Sequence, residues 1–347
     1  MKKTLWFYSI SLLFLLPILL SFRYEVPLKK PSLFDLIHNE RPLKLNLECD
    51  LQQLIDNRNT NDYFPATLQF KDNEGQRHKW EAEIRSRGKF RRRICQFPPL
   101  KIKFSKTDLQ EEGLKKHNEF KLVTHCLDSS EGNNYILREY LVYKLYNLIT
   151  EMGYRVQLVK ATYRDSESSL IKQRYAILLE DEDDLEDRLD GKVCDACFNQ
   201  PEEEFNLELL HQISLFQFMI GNTDWSVEML RNLKVLEPKD SSGYLAAPYD
   251  FDFSGLVNAS YAIPNTDFGM ESCRQRMFIG FAEKEAELSA TIAHFQSKKA
   301  QVLEYVNSFK YLPKSSRKDI VNYLETFYAC LEQEAFLNQV VSPGDCE

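Results

Sequence analysis

Apolar residues recur at helical spacing in three parts of the chain. Between residues 133 and 149, leucines follow one another at intervals of four and three, which predicts one helix. From Asn206 onward the apolar residues are dense enough for a helix that is buried almost all round, and Gly221 is placed to end it as a C-cap. Residues 283–309 and 315–338 predict further amphipathic helices. The second half of the chain is therefore expected to be mostly helical.

Alternating apolar and polar residues predict a β-rich region between residues 43 and 126. Residues 80–84 carry Trp, Ala and Ile at every second position, and residues 100–104 carry Leu, Ile and Phe in the same way. Lys101 and Lys103 consequently face away from the apolar side of their strand. Two further strand pairs are predicted at 156–163 with 173–179, and at 232–236 with 244–249.

The run at residues 180–187 holds seven carboxylates in eight positions. It lacks the glycine and the ligand alternation of a calcium-binding EF-hand loop. We interpret it as the start of a helix, where negative charge complements the helix dipole. It is also the expected boundary between two lobes.

The N-terminus carries two lysines followed by an apolar run from Leu5 to Phe22, the pattern that opens exported proteins. The run has no clear cleavage site and, at about 18 residues, is nearly long enough to span a bilayer. It therefore predicts either a cleaved signal peptide or a retained anchor. Both place the protein in the periplasm, the cell envelope or the extracellular space, with membrane attachment only through this segment.

Composition and charge exclude some partners. The 347 residues are 43% hydrophobic, which suits a body larger than one average domain. There are 44 basic and 52 acidic side chains, and the net charge of −8 argues against nucleic acid as a partner. The stretch Arg85–Arg93 is locally basic, with six cations in nine residues. It predicts either a solvated hairpin loop or a loop that faces phosphate.

Eight cysteines in an exported chain can form disulfides, but their pairing cannot be read from the sequence. Cys194 and Cys197 form the one CxxC pattern, and no second pair of zinc ligands stands at matched spacing. We interpret this pair as a local disulfide or as two loop thiols.

Two aspartates stand where phosphotransferases hold a base and a metal ion. Asp224 follows the helix that ends at Gly221, and Asp250 follows the second strand of the hairpin predicted at 232–249. Because a tight turn returns the chain to its start, we expect Asp250 to lie near Asp224. Phosphoryl transfer needs a carboxylate that orients or deprotonates the attacking hydroxyl, and carboxylates or amides that hold Mg²⁺.

These requirements assign roles to five residues. Asp224 is the expected catalytic base, and either Asp250 or Asp252 is the expected metal ligand, with Asp250 favoured because it ends its strand. Asn222 and Asn232 are the candidates for positioning the base or holding a second metal ion. The expected cofactors are ATP and Mg²⁺ or Mn²⁺.

The nucleotide phosphates need cations. Lys101 or Lys103 is expected to reach the α- and β-phosphates from the sheet, and Arg87 in the basic stretch is expected to face phosphate. Glu139 lies early in the helix predicted at 133–149, where it would pair with that lysine as in protein kinases.

Five separated segments resemble the CotH family of spore-coat kinases, in that family's order and over about residues 43–261. They are Arg85-x-Arg-Gly88, Pro99–Phe104, the helix that carries Arg138, Gly221–Asp224 and Tyr249–Asp252. The resemblance implies an atypical, strongly diverged protein-kinase-like fold and ATP-dependent phosphorylation of secreted or coat proteins on serine. It also implies that Asp224 matches the catalytic aspartate and that Asp250–Asp252 matches the metal-binding segment.

The sequence therefore predicts an α+β, two-lobed atypical protein-kinase-like fold. Its parts are a signal peptide or anchor at 1–22, a linker at 23–42, a β-rich N-lobe at 43–180 and a mostly helical C-lobe at 181–347. Two features depart from protein kinases. The basic stretch has a single glycine, Gly88, and Met229 stands where kinases carry a second metal-binding asparagine.

The predicted function is an exported kinase that transfers the γ-phosphoryl group of ATP to Ser or Thr of a protein acceptor. The alternative is a non-catalytic envelope or surface binding protein on a degenerate kinase-like scaffold, because ATP is scarce outside the cytoplasmic membrane and a fold does not determine a function. A hydrolase comes last, because the chain has neither Gly-x-Ser-x-Gly nor His-Glu-x-x-His.

Overall fold

The computed structural model describes residues 30–281 and 285–333. The described residues from Pro31 onward belong to one compact unit. The leader expected at 1–22 and the end of the last predicted helix lie outside the described residues. Within the described part of the chain, no helix has the length and apolar character needed to cross a bilayer.

Seven strands close into a barrel in the order β1-β2-β3-β4-β5-β7-β6. The strands are β1 (Leu43–Cys49), β2 (Phe64–Lys71), β3 (Arg77–Ser86), β4 (Leu100–Phe104), β5 (Glu119–Val123), β6 (Val156–Asp165) and β7 (Ile171–Leu179). Neighbouring strands run antiparallel except β1 and β6, which pair in parallel from Leu43 opposite Val159 to Cys49 opposite Asp165.

The parallel pair of β1 and β6 overturns the two-lobed kinase-like fold expected from the sequence. This pair joins the first strand of the sheet to its last, so the strands enclose an interior instead of forming an open N-lobe sheet. Alternation of apolar and polar residues is the same in an open and in a closed sheet, which is why the sequence pattern did not reveal the closure. The fold is an α+β fold based on a barrel.

A smaller antiparallel sheet and nine helices complete the described part of the chain. The sheet has the order β10-β9-β8, with β8 (Gly191–Val193), β9 (Leu233–Pro238) and β10 (Leu245–Pro248). The helices are α1 (Leu33–Ile37), α2 (Leu51–Asp56), α3 (Arg91–Ile94), α4 (Lys106–Glu111), α5 (Ser130–Ile149), α6 (Glu182–Leu189), α7 (Leu207–Ile220), α8 (Glu285–Ser308) and α9 (Lys314–Cys330).

Several local predictions are confirmed. The helix predicted at 133–149 is α5, which begins three residues earlier, and α7 ends at Gly221 with a left-handed φ of 64°. The acidic run begins α6, where Asp181 is the N-cap. The predicted hairpin is present as β9 and β10. Helix α1 lies inside the segment expected to be a linker, and its three apolar residues are buried.

The cysteine pairing that the sequence left open is visible for two bridges. Cys194 and Cys197 form a local disulfide, and Cys95 is bonded to Cys126. Cys95 directly follows α3 and Cys126 lies three residues beyond β5, so this second bridge ties the basic stretch to the barrel.

The protein has two hydrophobic cores, and alternate residues of β7 belong to different ones. Ala176 and Leu178 face the barrel interior, whereas Ile177 and Leu179 face a second core built from α5, α7, α8, α9 and the small sheet. The outer face of the barrel is therefore covered here by α5. Side chains that leave β5 on this same outer face, such as Lys121, point to the seam between barrel and helices.

Candidate functional site

The β9–β10 hairpin brings Asp250 back to Asp224. Leu233 pairs with Pro248, and the next backbone hydrogen bond joins Tyr249 N to Asn232 O at 2.9 Å. Burial raises the pKa of Asp224; Arg231 opposes this shift, and the charge of Asp250 adds to it. The two carboxylates thus interact electrostatically, as expected from the hairpin.

Both asparagines that were assigned to this loop hold Asp224. The Asn222 Oδ1 atom accepts a hydrogen bond from the Asp224 backbone N–H at 3.0 Å, and Asn222 is itself buried and bonded to Gln217. The Asn232 Nδ2 atom donates to Asp224 Oδ2 at 2.9 Å and to the Asp224 backbone carbonyl at 2.7 Å. The structure therefore places Asn232 as a group that orients Asp224, one of the two roles left open for it.

Asp250 has a backbone conformation that non-glycine residues rarely adopt. Its φ is 64°, in the left-handed region, and its N–H donates to the Tyr143 hydroxyl at 2.9 Å. Strained backbone of this kind costs about 1–3 kcal/mol and persists where the surroundings hold it, often at functional sites. The half-buried Asp250 is thus fixed by the hydrogen bond that its N–H donates to Tyr143 of α5.

Asp252 and Glu139 form a buried acidic pair around Arg91. The Arg91 Nη1 atom lies 3.5 Å from Glu139 Oε2 and 3.6 Å from Asp252 Oδ2. Burial raises the pKa of both carboxyls, Asp250 raises that of Asp252 further, and the charge of Arg91 opposes the shift at both groups. Asp252 Oδ2 and Glu139 Oε1 have no hydrogen-bond partner among the described residues. These two oxygens are acceptors that a cation can satisfy.

Arg91 belongs to the basic stretch, whose cations differ in burial and in their partners. Arg91 is buried, and its Nη2 atom donates to Thr124 O at 2.7 Å, next to the Cys95–Cys126 bridge. Arg93 is exposed, whereas Arg92 bonds the Ser86 carbonyl at 2.9 Å. The stretch is thus neither a free hairpin loop nor a wholly phosphate-facing loop. The sequence reasoning did not single out Arg91, because a run of six cations does not show which of them is buried.

The structure does not bring Lys101, Lys103 or the expected Lys–Glu139 pair into the site. Lys101 is bonded to Glu119, and Lys103 lies 3.5 Å from Glu83 on the outer surface of the barrel. Glu139 pairs with Arg91 instead of a lysine. Lys101 and Lys103 lie outside the site because they are on the outer face of β4, where they form these charge pairs. Helix α5 covers the barrel beyond β5.

Lys121 takes the place expected for Lys101 or Lys103. It lies opposite Lys101 in the β4–β5 register, one strand closer to α5. Its ammonium contacts Glu182 and lies 4.8 Å from the centre of the Tyr249 ring, next to Asp250 in the chain. Burial lowers the pKa of Lys121 to about 8, while the charge of Glu182 acts in the opposite direction. In the sequence, Lys121 stands in the same alternating pattern of apolar and polar residues as Lys101, so the pattern alone did not distinguish the two lysines.

Arg87 lies on the same side of the barrel as Lys121. Its positive charge lowers the pKa values of Lys121, Glu139, Tyr143 and Tyr249, each as a smaller contribution than burial. Arg87 and Lys121 thus supply positive charge on the barrel side of the seam. The charge of Arg87 acts on the buried Glu139 carboxyl, whereas Lys121 is paired with Glu182.

Asp224 opens onto a pocket of about 220 Å³. Its walls come from the loops after α7 and β10, and they include Gly221, Arg231 and Phe253. The apolar side chain of Ile263, which is 61% exposed, lines this opening. The proposed base is thereby accessible to another molecule, whereas Asp252 and Glu139 lie beneath the surface.

The residues present fit a magnesium ion bound together with phosphate. The described residues contain no group of three or more His, Cys, Asp or Glu arranged to hold a metal ion by themselves. Mg²⁺ is usually held by one or two protein carboxylates, with waters and substrate phosphates completing its shell. Asp250 and Asp252 are of this kind; the Asp252 Oδ2 atom accepts no hydrogen bond from the described residues, although it lies 3.6 Å from the Arg91 guanidinium. Neither the scan against protein-family models nor the search of curated proteins found a match to this chain.

Proposed function

We propose that this protein is an exported, CotH-like phosphotransferase that moves the γ-phosphoryl group of ATP to a serine or threonine hydroxyl of a protein acceptor. The observation that carries the proposal is the meeting of two unlike groups of side chains at one seam. Asp224, Asp250 and Asp252 lie on the helical side, where burial and the charges of Asp250 and Asp224 raise the pKa of Asp252. Arg87 and Lys121 lie on the barrel side. The two sides meet around Tyr249, because the charges of Asp250 and Arg87 both act on its pKa and the Lys121 ammonium lies 4.8 Å from the centre of its ring. Carboxylates that hold a metal ion and cations that hold phosphates are the parts that phosphoryl transfer requires.

Asp224 is the proposed base. Its raised pKa makes it a better proton acceptor than an ordinary aspartate, and the pocket beside it gives an acceptor hydroxyl access. The hydroxyl proton passes to Asp224 while the hydroxyl oxygen bonds to the γ-phosphorus and the bond to ADP breaks. Asn222 and Asn232 keep the carboxylate in place during this step.

Asp250 and Asp252 would hold Mg²⁺ or Mn²⁺. When bound, the metal ion neutralises charge on the phosphate oxygens. Arg91 contacts both Asp252 and Glu139, so its positive charge compensates this buried acidic pair when no other cation is bound. Lys121 and Arg87 would bind the phosphates from the opposite side.

Export is part of the proposal. The N-terminal apolar segment predicts it, and the Cys95–Cys126 and Cys194–Cys197 disulfides support it, because such bonds persist in oxidising compartments.

Calorimetric titration of Mg·ATP into the protein tests the nucleotide site. We expect Lys121→Ala to weaken Mg·ATP binding about tenfold or more, because the variant removes a buried positive charge that would contact the phosphates. Glu182 retains Lys234 as a partner at 3.4 Å, so the variant leaves no unpaired carboxylate there. Lys101→Ala on the neighbouring strand is the matched control and should bind normally. No heat of binding in the wild type would favour the non-catalytic alternative.

A further inference from the structure

A second concave site lies on the barrel, lined by other residues than those of the candidate active site. A cavity of about 890 Å³ is formed by the segment Asn39–Asn46 together with β2, β3 and the turn that joins them. Five cations line it: Arg41, Lys44, Lys71, Arg77 and Lys79. This volume is in the range of ligand-binding sites, and the cavity is widely open to solvent.

The positive charge of this cavity is only partly balanced by the protein. Two acids line it: Glu40 is paired with Lys144 at 2.9 Å, and Asp72 is paired at 2.8 Å with His78, which also lines the cavity. The five cations form no ion pair with any acidic residue in the described part of the chain. Such a concentration is notable in a chain with a net charge of −8. It creates a positive local potential that attracts anions.

The strand register places like charges directly opposite each other. Lys71 pairs with Arg77 across β2 and β3, and Lys44 pairs with Lys160 across β1 and β6. Like charges in directly opposed positions destabilise a sheet. The next row along the strands is neutral or basic, with Asn46 opposite Gln69 and Gln69 opposite Lys79. A bound anion would relieve this repulsion.

The wall of the cavity is built before any ligand binds. The Asn39 side chain donates to Asn73 Oδ1 at 2.5 Å, which joins the entry to β1 to the β2–β3 turn. The fully buried Gln157 accepts from Asn39 N at 2.7 Å and donates to Arg41 O at 2.7 Å. Preorganised walls reduce the ordering cost of binding.

We infer that this cavity, which we call the basic cleft, binds an acidic peptide segment of a partner protein. Carboxylates would pair with the cations, and the amides of Asn46 and Gln69 would bond the peptide backbone. An amide both donates and accepts hydrogen bonds, which matches a peptide group, whereas a phosphate polymer or a lipid headgroup mainly accepts. The cleft is also concave, and a flat membrane surface does not enter it. This inference does not depend on catalysis at Asp224.

Fluorescence anisotropy of a short labelled peptide of alternating glutamate and serine tests the inference on the full chain. We expect binding that weakens as salt rises, and a loss of about tenfold or more in Lys71→Glu/Lys79→Glu. The control is Lys310→Glu/Lys318→Glu, which makes the same charge change at exposed positions near and in α9. It should retain wild-type affinity.

Folding of the cleft variant is checked by its melting temperature. We expect it to be equal to or above that of the wild type, because Lys71→Glu replaces a like-charge pair with an opposite-charge pair beside Arg77. If both double variants lose affinity for the peptide equally, the binding depends on the overall charge of the protein and not on the basic cleft, which overturns the inference. The inference is also overturned if the glutamate peptide does not bind while polyphosphate or vesicles of anionic lipid bind and depend on Lys71 and Lys79.

Discussion

Arg91 and Glu139 form an ion pair inside the protein, with 3.5 Å between Nη1 and Oε2. Arg91 belongs to the basic stretch that is fastened to the barrel, and Glu139 belongs to helix α5. The same guanidinium reaches Asp252, which follows the small sheet. One buried cation therefore links three parts of the chain that meet at the proposed active site.

Removal of this cation should destabilise the fold strongly. Arg91→Gln leaves two buried carboxyls without a compensating charge, and breaking such a pair typically costs about 3–5 kcal/mol. Urea unfolding should show this loss, while Arg93→Gln, the exposed neighbour in α3, should change stability by less than about 0.5 kcal/mol. If Glu139→Gln combined with Arg91→Gln is no more stable than Arg91→Gln alone, the two residues are not coupled as the structure indicates.

The two disulfides should differ in their effect on stability. Cys95 and Cys126 are 31 residues apart, and a loop of that length predicts a loss of about 3–4 kcal/mol when the bridge is removed by Cys95→Ala/Cys126→Ala. Cys194 and Cys197 are only 3 residues apart, so their bridge closes a much shorter loop and should contribute less. Denaturant unfolding of both double variants checks the order. The reverse order would show that the first bridge does not hold the basic stretch to the barrel.

The activity should depend on pH at two groups. Lys121, with its pKa lowered to about 8 by burial, must be charged to bind phosphate, so activity should fall as the pH rises through about 8. Asp224, whose pKa is raised, must be ionised to accept a proton, which gives the acidic limb. Lys121→Arg should move only the alkaline limb to higher pH, because the guanidinium stays charged. An unchanged alkaline limb would exclude Lys121 as its origin.

Lys121 should also make the stability of the folded protein depend on pH in a defined direction. The pKa of Lys121 is lower in the folded protein than its ordinary value of 10.5, so between about pH 8 and 10.5 the unfolded chain binds more protons. The contribution of Lys121 to stability is therefore greatest above that range and is lost as the pH falls through about 8. Compared with Lys121→Met, the wild type should gain stability as the pH rises across this range in urea unfolding.

Local signals in the sequence predicted the elements on the helical side of the candidate site. A glycine C-cap, a hairpin with strands of similar length and an aspartate after each element are determined by neighbours in the chain. They placed Asp224, Asp250 and Asn222 in one loop system. The helix that carries Glu139 was likewise visible from its leucines.

The barrel side could not be predicted in the same way. Lys101 and Lys121 lie opposite each other and have the same alternating pattern around them, and only the position of α5 distinguishes them. Closure of the barrel depends on β1 and β6, which are more than a hundred residues apart. Burial of Arg91 depends on carboxylates from two distant segments. These are tertiary relationships, and periodicity carries no information about them.

The central claim is that Asp224 and Asp250 transfer phosphate together with Mg·ATP. The most direct test is incorporation of labelled γ-phosphate into protein by the wild type, Asp224→Asn and Asp250→Asn, with Asp267→Asn as the control at the rim of the same pocket. We expect each of the first two variants to lose about a hundredfold or more, with unchanged melting temperature, and the control to remain active. Equal incorporation in the wild type and Asp224→Asn, or none in a wild type that is folded, would contradict the account.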